Sequence, residues 1–169
     1  HSGMLTFFYA AMSEAVKQRY LSEEGDENAR NVTELDAHRE LACYFESVQM
    51  HPEVLPDTAV RVPRVLPWHL HAAQMWDELV EYVSRLDVLQ ACMEKGNAQG
   101  EFDLCTYWDS LEKHGGFSVV DQYSETVKQA LEEHGKVLSV AESMVTVALF
   151  LRRYGHYPAA VDMLRQAEH

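Results

Sequence analysis

The segment 141–169 combines two amphipathic helices with a sharp turn between them, and this pattern limits the fold more than any other part of the chain. Small and aliphatic residues recur with helical spacing up to Tyr154, a glycine follows, and a second apolar helix starts near Tyr157. A helix with apolar residues every 3.6 positions must bury one face. The sequence therefore predicts that these two helices pack against each other as a hairpin.

The residue types in this hairpin suit the contacts that it must make. Helices that cross at about 8–10 Å need small side chains where their backbones meet, and Ala148 and Ala160 are small. Gly155 suits the positive φ of a turn. The predicted inward faces are Met144, Val147, Ala148 and Leu151 on the first helix and Ala160, Leu164 and Ala167 on the second. Because one hairpin cannot cover its remaining surfaces, such units stack into solenoids that bind other proteins. The pattern points to a scaffold rather than an enzyme.

With Gly155 and Tyr157 at the turn and Ala160 after it, the hairpin resembles one tetratricopeptide repeat (TPR) at about 141–169; a generic helical pair is the alternative. The resemblance implies that the first helix supplies a concave binding surface. Its predicted partner-binding residues are Glu142, Val145, Thr146, Leu149, Arg152 and Arg153. The Lys and Asn that clamp a peptide carboxylate in chaperone-binding repeats would fall at Val145 and Leu149. We therefore expect an apolar or mixed peptide, or a neighbouring repeat, to pack there.

The composition excludes several classes of partner. Aspartate and glutamate total 27 against 14 lysines and arginines, and the formal net charge is −13. Such an acidic surface repels phosphate backbones and anionic lipids, so we expect neither nucleic acid nor membrane as a partner. The negative charge either keeps the protein soluble or forms an acidic surface for docking. The apolar content of 47% is sufficient for one domain, or for two small domains that share a core.

The cysteines and the hydropathy indicate an intracellular protein. Cys43, Cys92 and Cys105 lack the spacing of a disulfide framework or a metal site, which favours a reducing, cytoplasmic setting. No stretch approaches eighteen apolar residues, and no signal peptide opens the chain. Because the chain opens into an apolar segment and stops before its last helix would finish, we expect it to be part of a longer protein.

Helical patterns fill most of the chain, so the predicted fold class is all-α. A minor β-hairpin at the N-terminus, near residues 4–8, is the one exception considered. A first helix is predicted to reach about Leu21, and a mobile loop follows it over 22–32. Thr33 and Asp36 form a capping box that starts the next helix, and Ser118 is a predicted N-cap. The later helices are predicted at 63–73, 76–86, 87–95, 99–113, 118–134, 137–154 and 157–168, stacked as a short TPR-like solenoid.

The prolines suggest where the chain divides. Four of the five lie in the segment 51–67, which is predicted to be a joint. Residues 1–50 would form a helical unit, and residues 68–169 a helical repeat region that ends in the TPR unit.

No motif for catalysis, cofactor binding or metal binding is present. His69 and His71 lie about 200° apart on a helix, so they cannot share a metal without other ligands, and the histidines are predicted to lie at the surface or at helix ends. Gly96 to Gly100 lacks the Lys-Ser/Thr of a phosphate-binding loop. The sequence leaves open whether catalytic groups that are distant along the chain lie next to one another in space. The aromatic residues Trp68, Trp76, Tyr82, Tyr107 and Trp108 are predicted to lie in the core.

Three segments together resemble a known order of domains. Leu5 to Leu21, followed by His38 to Phe45, resembles the end of the winged-helix region in NACHT/STAND ATPases of the nephrocystin-3 type. Val62 to Leu70 with Trp76 to Leu79 resembles the "Leu-Pro-aromatic-x-Leu … Trp-x-x-Leu" helices that follow it, and the TPR unit completes the order. Tyr9 departs from the pattern, because relatives often have histidine there. The resemblance implies a cytosolic or ciliary signalling ATPase as parent, with its nucleotide site outside this chain.

These features favour a non-catalytic interaction scaffold, the adaptor and first TPR of a larger multidomain protein. The alternative is an intramolecular regulatory arm of an upstream nucleotide-dependent switch ATPase, with the proline-rich joint as its hinge. An enzyme with an unrecognised helical site is a third hypothesis. An exposed apolar seam on the last helix would also allow a homodimer.

Overall fold

The computed structural model describes residues 33–51, 62–135 and 137–168. Within these ranges the chain forms eight α-helices and one π-helical turn, without any strand. In chain order the helices are α1 (Glu34–Met50), α2 (Val62–Ala72), α3 (Trp76–Val83), α4 (Leu86–Met93), α5 (Ala98–Ser110), α6 (Val119–His134), α7 (Leu138–Tyr154) and α8 (Tyr157–Glu168), with the π-helical turn at Leu111–Gly115 between α5 and α6. The all-α prediction is confirmed. The predicted lead-in at 4–8, the first helix and the loop at 22–32 lie outside the described residues.

Local capping explains where several helices begin and end. The Thr33 hydroxyl accepts a hydrogen bond from the Asp36 backbone N–H at 3.1 Å, and the Ser118 hydroxyl accepts one from Asp121 at 3.3 Å. Both N-caps were predicted, because a short side-chain oxygen there satisfies an N–H that lacks an intrahelical partner. Gly135 ends α6 with a positive φ. Every predicted helix from residue 63 onward is present, with bounds that agree within three residues.

The chain divides into two compact units, one ending at Met75 and the other starting at Trp76. The predicted joint lies earlier, at 51–67, and residues 62–67 of that segment form the first half of α2. Pro63 is tolerated because it occupies the first turn, where its missing N–H would have no partner. Residues 52–61 of the joint lie outside the described ranges.

In the first unit α1 packs against α2. Val62, Leu66 and Leu70 recur every four residues along α2 and are buried, as are Ala42 and Val48 of α1. This spacing places the α2 side chains on one face, which forms the core of the unit. Trp68 is exposed instead, so the prediction that it lies in the core is wrong.

The core of the second unit is built around Trp108, Tyr123 and Phe150, which are fully buried. The indole N–H of Trp108 donates to the Tyr123 hydroxyl at 3.3 Å, and that hydroxyl donates to the Val83 carbonyl at 2.9 Å. The hydroxyl therefore joins α5, α6 and the end of α3, and it satisfies polar atoms that burial would otherwise leave without partners.

The remaining predicted core aromatics differ in their burial. Tyr82 and Tyr107 are buried, as predicted, whereas Trp76 is half-buried and stacks on His114 with ring centroids 5.8 Å apart. Over the described ranges, no helix has both the length and the apolar character needed to cross a bilayer.

Candidate partner-binding groove

The hairpin of α7 and α8 corresponds to the segment that was predicted to form a TPR unit. Val147, Ala148 and Leu151 of α7 are buried, and Ala160 and Met163 are the buried residues of α8. Small side chains at Ala148 and Ala160 allow the two backbones to approach closely. The α7 residues predicted to face inward, which also include Met144, are therefore all buried.

One face of α8 differs from its prediction. Leu164, expected to point inward, is 41% exposed, and Met163 is buried in its place. Ala167 is half-buried. Met163 and Leu164 are consecutive and therefore point about 100° apart around the helix axis. The rotation of α8 about this axis decides which of them faces α7. The exposed Leu164 becomes part of an open surface.

Gly155 closes the hairpin in a left-handed conformation, with φ 102°. Its N–H donates to the Arg152 carbonyl at 3.3 Å, and the His156 N–H donates to the Leu151 carbonyl at 2.8 Å. These bonds satisfy carbonyl groups that the end of α7 would leave without donors. α8 starts two residues later, at Tyr157, as the turn pattern predicts.

A groove with a volume of about 570 Å³ lies along the open side of this hairpin, and we call it the α7–α8 groove. The lining residues from α7 recur at helical spacing and form one wall. The other wall consists of residues from the last turns of α8. The lining consists of Leu138, Ala141, Glu142, Val145 and Thr146 from α7 and Leu164, Ala167 and Glu168 from α8.

The aliphatic residues that line the groove are accessible to solvent. Leu138 is 76% exposed, and Val145 and Leu164 are each about 40% exposed. The Thr146 hydroxyl donates to the Glu142 backbone carbonyl at 3.0 Å, so its hydrogen-bonding need is met within α7. Contiguous exposed aliphatic side chains of this kind mark surfaces that bind other molecules.

Two carboxylates interrupt this apolar lining. Glu142 belongs to α7 and Glu168 to α8, so each wall contributes one negative charge. Among the residues that the structure describes, neither side chain forms an ion pair or a hydrogen bond. The groove therefore presents uncompensated negative charge beside aliphatic surface.

The six predicted partner-binding residues do not all lie together. Glu142, Val145 and Thr146 line the groove, and Leu149 is exposed on α7 but outside the lining. Arg152 is exposed near the end of α7. Arg153 forms an ion pair with Glu101 of α5, so its charge is already engaged within the unit. The role of all six in binding stays a prediction.

The sequence prediction missed five lining residues. Leu138 and Ala141 lie one turn before the predicted stripe, and extending its helical spacing toward the start of α7 would have found them. Leu164, Ala167 and Glu168 could not be found in this way, because their contribution depends on how far α8 is rotated about its axis.

A second polar cluster lies in the first unit, where His38 of α1 meets His69 of α2. Their Nδ1 atoms are 2.9 Å apart, so one imidazole donates to the other. His69 is only 7% exposed, and its ring stacks on Phe45 with centroids 5.4 Å apart. His69 lies in the last turn of α2, in agreement with the prediction that the histidines lie at the surface or at helix ends, but its side chain is buried.

The environment of His69 favours its neutral form. Burial, together with the smaller effect of the neighbouring His38, lowers its pKa from 6.5 to about 4. Glu34, whose Oε1 lies 3.9 Å from Nε2 of His38, is the carboxylate beside the pair. Protonating both rings would bring two positive charges together in place of a hydrogen bond.

Within the described ranges, no group of three or more His, Cys, Asp or Glu side chains could hold a metal ion. All three cysteines are free thiols. Burial raises the pKa of Cys92 and Cys105, with nearby aspartates adding to the effect, so both thiols stay protonated near neutral pH.

Comparison with known proteins gives no relative for this chain. No family model, no curated protein and no solved structure matches it. The function must therefore be inferred from the groove and from the helices that form it.

Proposed function

We propose that the chain is a non-catalytic protein-interaction scaffold whose α7–α8 groove binds a segment of another protein. The observation that carries this proposal is the apolar groove of about 570 Å³ with Leu138, Val145 and Leu164 exposed in it. A partner that covers these side chains removes apolar surface from water, which stabilises a complex by about 25 cal/mol per Å² before the costs of association.

The construction of the hairpin supports this proposal. Its two helices pack against each other, the small residues Ala148 and Ala160 are both buried, and Gly155 forms the turn between the helices. A rigid helical pair holds the lining residues in fixed positions, so a partner need not order them on binding. On this reading the hairpin is a TPR-like unit, the first of a larger multidomain protein.

The groove can be tested by selecting binders from a library of displayed helical peptides and measuring their affinity for the purified chain. We expect Val145→Glu and Leu164→Glu each to weaken the selected peptides by at least about tenfold, because a carboxylate would have to be desolvated against the apolar ligand. Both positions are partly exposed, so the new side chain can reach water in the free protein.

Phe102→Glu provides the matched control. Phe102 is an exposed apolar residue of α5 outside the groove lining, and the substitution adds the same single charge. Circular dichroism and thermal unfolding would establish that all three variants keep their fold. If folded groove variants bound every selected peptide as well as the control does, the groove would not be the binding site.

A further inference from the structure

We infer that the occupant of the α7–α8 groove is an amphipathic α-helix whose apolar stripe is flanked by lysine or arginine side chains. This inference rests on the proposed function and specifies the chemistry of the partner. It combines the spacing of the lining residues with the charge of the groove.

The spacing of the α7 wall fits a helix. Leu138, Ala141 and Val145 follow one another at about one helical turn, or about 5.4 Å along the axis. A helix laid beside α7 presents its own side chains at the same interval, so that the ridges of one enter the grooves of the other. Side chains on the same face of an extended strand are about 6.6–6.8 Å apart, so they do not match the spacing of the α7 lining residues.

The charge of the groove selects a basic partner. Glu142 and Glu168 place one carboxylate on each wall, among the aliphatic lining residues. No ion pair or hydrogen bond to a described residue occupies either carboxylate, so both are available to a ligand. Cations beside the apolar stripe of a bound helix would meet these carboxylates where the groove excludes part of the solvent, which strengthens their attraction.

The same charges argue against a second copy of this chain as the occupant. A two-fold pairing through the groove would bring two copies of Glu142 and two of Glu168 into one interface, and among the described residues no lysine or arginine lines the groove to balance them. The formal net charge of −13 adds further repulsion between copies.

The test uses the full chain and three synthetic peptides, with affinities measured by fluorescence anisotropy. The first peptide carries leucines at helical spacing flanked by lysines. The second replaces its lysines with glutamates, and the third keeps the lysines but replaces its leucines with glutamines. We expect the first peptide to bind at least about tenfold more tightly than either of the others.

Charge reversal tests the two carboxylates directly. The double variant Glu142→Lys and Glu168→Lys should lose the preference for the lysine peptide or invert it in favour of the glutamate peptide. The control double variant Glu81→Lys and Glu132→Lys changes the net charge equally at exposed positions outside the groove, and it should keep the original preference.

The outcomes separate this inference from the proposed function. If the lysine and glutamate peptides bound equally and Leu164→Glu weakened both, the groove would stand and the basic partner would be wrong. Equal binding of the glutamine peptide would show attraction by charge alone and would also overturn the inference. If none of the three peptides bound while Leu164→Glu still weakened the library-selected peptides, only this inference would fail; if Leu164→Glu changed no binding at all, the proposed function would fail with it. A dimer in sedimentation velocity that Leu164→Glu dissolved would identify a second copy as the occupant.

Discussion

The hydroxyl group of Tyr123 is the polar atom on which the core of the second unit depends. We expect Tyr123→Phe to lower the free energy of unfolding by about 2 kcal/mol, because the Trp108 N–H and the Val83 carbonyl would lose a partner inside the core. Urea unfolding followed by circular dichroism measures the change. Tyr157→Phe, at an exposed position of α8, should stay within about 0.5 kcal/mol of the parent. Equal effects of the two substitutions would contradict the structural role of the Tyr123 hydroxyl.

His69 should make the stability of the first unit depend on pH. The folded unit keeps this ring neutral down to about pH 4, whereas the unfolded chain protonates it near pH 6.5. Between these values the unfolded chain binds more protons, so the free energy of unfolding should fall as the pH decreases from 6.5 toward 4 and should be level above 6.5. We expect a loss of about 2 kcal/mol across this window.

The slope of stability against pH is the quantity to measure for His69. His69→Phe removes the titrating ring and should flatten the slope, whatever the substitution does to stability at neutral pH. An unchanged slope in the His69 variant would show that the pair does not control the acid sensitivity.

This pair also shows where single-residue prediction from sequence ends. His38 and His69 are 31 positions apart and belong to different helices, and no spacing rule brings them together. Helical periodicity does place His38 on the buried side of α1, but it cannot show that another imidazole meets it there. Only the packing of α1 against α2 creates the contact.

At the scale of elements, the turn between α7 and α8 depends on Gly155. An added Cβ would meet nothing within 4 Å, so the φ of 102° is the source of strain in Gly155→Ala. We expect this substitution to lower the free energy of unfolding by about 1–2 kcal/mol, with a smaller loss for Gly155→Asn, because asparagine tolerates positive φ better than alanine does. Thermal unfolding of both variants measures the difference. Equal stability of Gly155→Ala and the parent would contradict a strained turn.

The helices themselves were largely predictable because their signals are local. N-caps such as Thr33 and Ser118, and glycines after the last turn, act on neighbouring residues, so sequence locates them well. Three residues that the TPR resemblance implied for partner binding, Glu142, Val145 and Thr146, do line the groove, while their role in binding stays a prediction. The α8 wall of the groove was not predicted, because the exchange of Leu164 for Met163 depends on a rotation that only packing determines.

At the scale of the whole molecule, the two compact units should respond differently to acid. The histidine pair lies in the unit that ends at Met75, whereas the Trp108–Tyr123 core lies in the unit that starts at Trp76. We expect hydrogen exchange protection in α1 and α2 to fall between pH 7 and pH 5 relative to the later helices, because only the first unit contains His69.

Mass spectrometry of exchanged peptides can follow both units in one sample, with each rate normalised to the unfolded chain at the same pH. His69→Phe should remove the difference between the units. A parallel loss of protection across both units would show that they unfold together and that the pair does not act locally.

The position of Glu142 and Glu168 on opposite walls has a consequence for control of the complex. Acetylation of a lysine neutralises its charge while leaving the aliphatic stem in place. On the proposed basic amphipathic ligand, that modification would remove the attraction to the two glutamates and leave the apolar stripe of the ligand unchanged. Enzymes that act on the ligand alone would then set its affinity for the groove. This chain would respond to the acetylation state of the ligand without being modified itself.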